Sequence, residues 1–517
     1  VIPILKGGRK MNSYLLFVLA LLPIIWLMVS LGVLKIPGYK AIPVALVITI
    51  VLAVLVWKVS VPHALGATLE GFAMGLWPIM IVIIAAVFTY NLTLHTGGME
   101  TIKKMMTGIT TDKRILVLIL AWGFGGFLEA IAGFGTAVAI PASIMVALGF
   151  EPIFAAVICL MANTTPTAFG AIGLPVSTLA NVTGIDVAPL SYTVSLQLFV
   201  LIVVVPIALV MITGKSVKAI KGVLGISLIS GLSFALPQIF IAKYLGAELP
   251  AILGSVVSMG VTILWAKMFH KDKAKEDAEK VSLKEGIMAW LPFILVFTFI
   301  LVTSPLIPTI NGPLSSIKTS VHLYTGEGGK AYTFQWLSAP GTLIIIATYI
   351  AGFIQGLSFG GITKILGQTI KQMSKSFITI LAIVALAKVM QYSGMIKSIA
   401  VVLVAVTGPF YPIISPIIGA LGTFVTGSDT SANVLFGGLQ VEAANGLGLS
   451  PYWLAAANTV GATAGKMISP QSIAVATAAT GLSGKEGTIL NTTLKFCLVY
   501  VIILGIIVFF GRGLLGV

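Results

Sequence analysis

The chain has 517 residues, of which 58 % are hydrophobic and only 9 % are charged. A soluble domain carries about 25 % charged residues, so this chain cannot cover a water-facing surface of its size and is expected to face lipid. Its net charge of +15 does not point to nucleic acid, because the lysines fall in short loops between apolar runs, as a positive-inside distribution requires.

Apolar runs of the length that crosses a bilayer as helix, about 20 residues, recur from end to end, and the short alternating segments of a membrane β-barrel are absent. Val1–Lys10 reads as an extension upstream of a start at Met11. Ser13–Leu34 reads as a span and not as a cleaved signal, since it is long and lacks a small-residue cleavage site. Crossings are predicted at 13–33, 41–57 and 76–95, with an amphipathic stretch at 60–75 between the last two. The apolar region 115–149 is broken by Ala132-Gly133-Phe134-Gly135-Thr136, and 152–180 is interrupted at Asn163-Thr164-Thr165-Pro166. A clean span follows at 189–213.

Three spans occupy the middle, near 222–243, 248–268 and 287–304, with a lysine-rich loop at His270–Lys284 and a polar Gly/Pro-containing loop at 305–338. The pattern then returns: a span at 339–358, an amphipathic stretch at 360–375, a span at 376–392, a broken region at 410–447, an interrupted span at 451–480 and a last span at 489–511. Short strings recur with it. Leu148-Gly149-Phe150-Glu151-Pro152 matches Leu447-Gly448-Leu449-Ser450-Pro451, Leu65-Gly66-Ala67-Thr68 matches Leu366-Gly367-Gln368-Thr369, and Gly98-Met99 matches Gly394-Met395.

If 115–149 and 410–447 are re-entrant hairpins that enter and leave on one side, an odd number of crossings separates the copies and they are inverted. Under that arrangement one face carries 18 Lys/Arg in its loops and the other 6, leaving out the first ten residues, and the basic face is cytoplasmic. The expected fold is an all-α polytopic membrane protein of about 12 transmembrane helices plus two re-entrant hairpins, in two inverted repeats with broken helices. The predicted divisions are 1–40 (N-terminal extension and first helix), 41–213 (repeat 1), 214–338 (connecting helices and loops) and 339–517 (repeat 2).

Irregular backbone survives in a bilayer only where protein buries it or a wet cavity lines it. Here Gly, Ser, Thr and Asn gather at four mid-span points: two tips, Gly133–Thr136 and Thr426–Ser431, and two breaks, Asn163–Pro166 and Asn458–Thr463. Any one of these could be plain helix packing, which also uses small residues; four in matching places point to a binding site. Half-helices that start at such points offer free N–H groups and a positive dipole end, which suits an anion. Candidate substrate-binding residues are Gly135, Thr136, Asn163, Thr164, Thr165, Ser428, Thr430, Ser431, Asn458, Thr459 and Lys466.

Ionisable residues inside a membrane are functional by default. Glu129 precedes the first tip and Asp429 lies in the second, and both are candidate proton carriers, since burial brings carboxyl protonation toward physiological pH; capping a helix or a fixed ion pair is the alternative. Lys466 or Lys388 could be the counter-charge for a carboxylate, or could pair with one of these acids. His95 is an interfacial residue or a relay, Gln471 is a secondary polar candidate, and Glu442 is a pathway or structural acid. Cys159 and Cys497 sit in apolar stretches and the four histidines are scattered, so no metal site, disulfide framework or cofactor is expected. Gly123-Phe124-Gly125-Gly126 lacks the spacing and the preceding strand of a nucleotide loop.

The string Gly125-Gly126-Phe127-Leu128-Glu129-Ala130-Ile131-Ala132-Gly133-Phe134-Gly135-Thr136-Ala137-Val138-Ala139-Ile140-Pro141 closely resembles the L-lactate permease family. So do Asn163-Thr164-Thr165-Pro166-Thr167-Ala168-Phe169-Gly170 and Ala464-Gly465-Lys466-Met467-Ile468-Ser469-Pro470-Gln471. The resemblance implies proton-coupled symport of lactate, with glycolate and similar 2-hydroxymonocarboxylates as further substrates, at the plasma membrane. More distantly, the tip, break, tip, break order is similar to the ion-transporter superfamily of dicarboxylate carriers, which implies elevator-like motion and a homodimer. Those carriers hold sodium at Ser-Asn-Thr tips; the tips here carry or adjoin an acid, which favours protons. The competing functions are a sodium-coupled di- or tricarboxylate carrier and an anion channel. An enzyme is not expected, since no nucleophile–base pair or metal motif appears.

Overall fold

Helix is the one open-chain structure that satisfies every backbone N–H and C=O within its own segment, which hydrocarbon demands, and the chain is built almost wholly of it. The computed structural model describes residues 12–514 apart from 35, 108–109, 132, 134, 270–280, 304–306 and 483–484. Val1–Lys10, Ala132 and Phe134 of the first tip, and the lysine-rich loop over His270–Lys280 lie outside the described residues. Eleven helices among the described residues are long and apolar enough to cross a membrane.

Several helices recur at a near-constant spacing along the chain. Helices Val61–Met74 and Phe359–Gln372 start 298 residues apart, Gly98–Thr107 and Met395–Thr407 start 297 apart, and Pro152–Ala162 and Pro451–Lys466 start 299 apart. Val187–Thr213 and Glu486–Leu514 are again 299 apart. Local chemistry repeats with them. Ser60 and Ser358 each cap the following helix through a side-chain oxygen that accepts a first-turn N–H, the usual remedy for orphan donors at a helix start. Proline stands at the first helical position of both Pro152–Ala162 and Pro451–Lys466, where its missing N–H costs nothing.

Both hairpins fold back on themselves. In the first, Lys113–Ile131 returns as Thr136–Ala147, and a side chain at Gly125 would stand 3.3 Å from the carbonyl of Ala137. In the second, Tyr411–Thr426 returns as Asp429–Leu447, with the Ser415 hydroxyl 2.8 Å from Oε1 of Gln440. The first arm of the first hairpin is 94 % buried, against 28–59 % for the other ten candidate spans, so protein surrounds it and not lipid.

Three sequence expectations are corrected. Between the predicted span at 376–392 and the broken region at 410–447 lies a helix, Met395–Thr407, ended by Gly408 in a positive-φ conformation. The loop 305–338 carries a short antiparallel hairpin, Lys318–Val321 with Tyr332–Gln335. It is pinned to the kink between Val61–Met74 and Ile81–His95, where the Tyr332 hydroxyl donates to the carbonyl of Trp77 and the Trp77 indole donates to that of Gln335.

The third correction concerns Asn458–Thr463, which do not break their helix. Pro451–Lys466 runs through them, and the interruption falls at Met467–Ser469. The small residues there serve close approach instead. A Cβ on Gly461 would collide with the carbonyl of Pro416, and one on Gly419 with that of Asn458. Overpacking a well-filled contact costs about 1–3 kcal/mol, so Gly461→Ala is expected to lower the thermal unfolding temperature of the purified protein by several degrees; an unchanged melt would remove this contact from the account.

Candidate functional site

Three helix N-termini converge on one cavity of about 390 Å³. Thr136–Ala147 starts at Gly135, Asp429–Leu447 starts at Ser428, and Pro470–Thr480 starts at Ser469; Gly135, Ser428, Gln471 and Ser472 all line the cavity. Each start leaves first-turn N–H groups without intrahelical partners and adds the positive end of a dipole. Glycine is needed at Gly135 because the cap has φ 87°, a conformation other residues resist. At the second tip the Ser428 side chain accepts from the Ser431 N–H and the Thr426 hydroxyl from the Ser428 N–H, so the turn is tied by its own side chains.

The charged lining is Glu129, Asp429, Lys466 and, at the mouth, Lys375. Lys466 ends its helix, where a cation is favoured by the dipole. It makes no ion pair among the described residues, yet lies within electrostatic reach of both Glu129 and Asp429. One oxygen of each acid, Oε2 of Glu129 and Oδ2 of Asp429, is buried without a partner. Buried acceptors without a donor are costly, and here both face a site where a ligand or a proton can supply what is missing.

Of the predicted site residues, Gly135, Ser428, Thr430, Ser431, Lys466, Glu129, Asp429 and Gln471 line the cavity. Thr136, Asn163, Thr164, Thr165, Asn458 and Thr459 do not; they stand behind the wall. The Thr136 hydroxyl is turned onto the carbonyl of Gly133 and the Thr164 hydroxyl onto that of Met161. Asn163 sits beside Glu129, its amide buried and otherwise without a partner.

Thr459 donates to Oδ1 of Asp429 at 3.1 Å and accepts from Asn433 at 2.8 Å. Asn433 in turn accepts from Asn458 at 2.9 Å, and Asn458 from Gln440 at 3.2 Å. This buried chain of amides holds the Asp429 carboxylate from behind. Sequence reading missed Asn433 and Gln440, although Asp429, Asn433 and Gln440 fall four and seven residues apart on one helical face, a periodic polar stripe in an otherwise apolar hairpin. It also missed Tyr39, which enters the cavity mouth with Lys40 and Lys375 over its ring at 5.8 and 5.4 Å.

Lys388 and His95 are not brought to the cavity. Lys388 pairs at 3.3 Å with Glu70, a partner not foreseen, and Tyr392 donates to the same carboxylate oxygen at 2.7 Å. His95 is exposed at the end of its helix. Glu442 lies with Lys397 in a separate surface depression.

A multi-pass chain with interrupted helices gathered round a polar, charged cavity is a membrane permease in architecture. The L-lactate permease family model matches residues 16–515, and the chain belongs to that family. It is 60 % identical to the L-lactate permease of Streptococcus iniae, covering 85 % of this chain and 93 % of that one. It is 37 % identical to the glycolate permease GlcA of Escherichia coli strain K12, covering 97 % and 96 %. Among solved structures, the Alcanivorax borkumensis YdaH transporter aligns with a TM-score of 0.49 at 15 % identity, over 86 % of this chain and 87 % of that one.

Two variants check the polar framework. Removing one partner of a buried ion pair costs about 3–5 kcal/mol, so Lys388→Met is expected to destabilise the purified protein strongly, and Glu70→Gln in the same chain to restore much of the loss. Thr459→Val strips the donor from Asp429 and is expected to cost about 1–3 kcal/mol, read as a lowered melting temperature with the fold retained.

Proposed function

We propose that the chain is a symporter that moves L-lactate, and related 2-hydroxymonocarboxylates such as glycolate, together with protons across the plasma membrane. The observation that carries this reading is the cavity itself, in which three helix N-termini and a lysine without an ion pair among the described residues face two acids that each have an unsatisfied oxygen. The substrate carboxylate sits against Lys466 and the N–H groups of Asp429, Thr430 and Gly135, and its hydroxyl meets Gln471 or Thr430. One lysine and neutral donors match one carboxylate, whereas a di- or tricarboxylate calls for more cationic groups.

The charge balance supports proton coupling. With both acids ionised, Glu129, Asp429 and Lys466 sum to one negative charge. A bound monocarboxylate would add a second in a site of low dielectric, where like charges repel strongly. A proton taken up by Glu129 or Asp429 with the substrate restores the original charge, so the loaded and empty sites cost the same to carry. The cavity opens beside Tyr39 and Lys375, on the lysine-rich face that we assign to the cytoplasm. The recurrent halves, taken as inverted copies, supply the opposite-facing state.

Uptake of labelled L-lactate into proteoliposomes, with proton and sodium gradients imposed separately, tests the assignment. Accumulation under the proton gradient is expected; accumulation under a sodium gradient alone would overturn the coupling. Lys466→Ala is expected to lower lactate affinity by tenfold or more, the loss of a charge-assisted contact worth about 1.5–3 kcal/mol, with the melting temperature kept. Undiminished binding would remove the lysine from the site. Glu129→Gln or Asp429→Asn is expected to retain lactate exchange while losing proton movement, and full proton-coupled uptake in both would take the protons elsewhere.

A further inference from the structure

A second cavity, of about 460 Å³, lies beside the first and is lined by the connection near Gly184–Val187 and by the β-hairpin. It is reached past the connection between Gly170–Thr183 and Val187–Thr213, the loop at Glu248, and the β-hairpin, whose Tyr332 and Gln335 stand in its wall. Leu174 lines both cavities. The partition beside it is the turn Ala171-Ile172-Gly173, in which all three residues take left-handed φ values of 44°, 58° and 73°. A Cβ on Gly173 would collide with the carbonyl of Ala247, so the thin wall between the cavities is clamped from the Glu248 side.

The ionisable lining of this second cavity is acidic. Asp186 and Glu248 line it, and no lysine, arginine or histidine does so among the described residues. A ligand-directed feature stands apart from these acids: the hydroxyl of Thr178, a wholly buried residue in the cavity wall, has no hydrogen-bond partner.

We propose that this cavity is the outer antechamber of the transport path, and that Asp186 and Glu248 make it a charge filter that admits a monocarboxylate and turns away di- and tricarboxylates. The proposal rests on the transport reading above. A field from two carboxylates repels a dianion twice as strongly as a monoanion, and clefts of one sign bias which ions gather in them. The second carboxylate of a dicarboxylate therefore pays a penalty before the inner site is reached.

Burial pushes Glu248 up to about 6, so it is charged at neutral pH and the filter relaxes as the outside acidifies through that value. Its carboxylate accepts from the backbone N–H groups of Ala247 and Glu248, and the same cavity is lined by Asp186 at the start of Val187–Thr213, where Tyr452 donates to the carboxylate at 3.4 Å, and by Tyr332 on the hairpin. Lys243, on the helix that precedes the Glu248 loop, is occupied over the rings of Tyr192 and Tyr244.

The test compares external malate with lactate, since malate keeps the 2-hydroxy acid group and adds one carboxylate. Inhibition of labelled lactate uptake by external malate is measured at pH 7.5 in the unaltered protein and in Glu248→Gln, Asp186→Asn and Asn181→Lys. Asn181 is an exposed residue of the same rim, so its variant tests the charge without touching the packed loop. Each change makes the rim one unit less negative and is expected to strengthen malate inhibition, relative to self-inhibition by lactate, by about threefold. An unchanged ratio in all three overturns the filter while leaving lactate transport standing. Absence of lactate uptake by the unaltered protein would overturn the transport reading itself, so the two failures are distinct.

Discussion

Every backbone N–H and C=O inside hydrocarbon must find a partner within the protein, and each interrupted helix in this chain is an exception that has to be accommodated. The accommodation is the site. The helix starts at Gly135, Ser428 and Ser469 face one cavity, the latter two with one first-turn N–H each capped by the serine side chain, and the remaining first-turn donors can be satisfied there by water or an anion. Had the hairpins crossed as straight helices, neither the cavity nor the helix starts that line it would exist.

Around that cavity the protein divides its polar groups by duty. Glu129 and Asp429 keep an unpartnered oxygen each, while Thr459, Asn433, Asn458 and Gln440 are bound to one another. A fully connected buried network fixes geometry, and the groups left open are the ones available to a substrate or a proton. The Glu70–Lys388 pair does a separate job. It lies between Val61–Met74 and Ser374–Ser393 and receives Tyr392, whose ring stacks on Tyr324 at 3.7 Å, so it joins two helices and the loop that covers them.

The two cavities share Leu174 and a turn of three left-handed residues. Such backbone persists only where its surroundings enforce it, here the carbonyl of Ala247 against Gly173. This partition separates a cavity with Lys375 at its mouth from one whose ionisable lining is Asp186 and Glu248.

The sequence by itself determined the all-helical membrane fold and the family, and it singled out Glu129, Asp429 and Lys466, which line one cavity, because composition, hydrophobic run length and intramembrane charge are local properties that the chain cannot hide. It misjudged what depends on neighbours. Asn458–Thr463 look like a break, yet their small residues let two helices touch at Gly461 and Gly419. Lys388 looks like a substrate counter-charge, yet Glu70, more than 300 positions away, claims it. Which helix starts face each other, which polar groups pair, and which are left open for a ligand are decided by contacts between residues far apart in the chain. Only the packed tertiary structure brings those together.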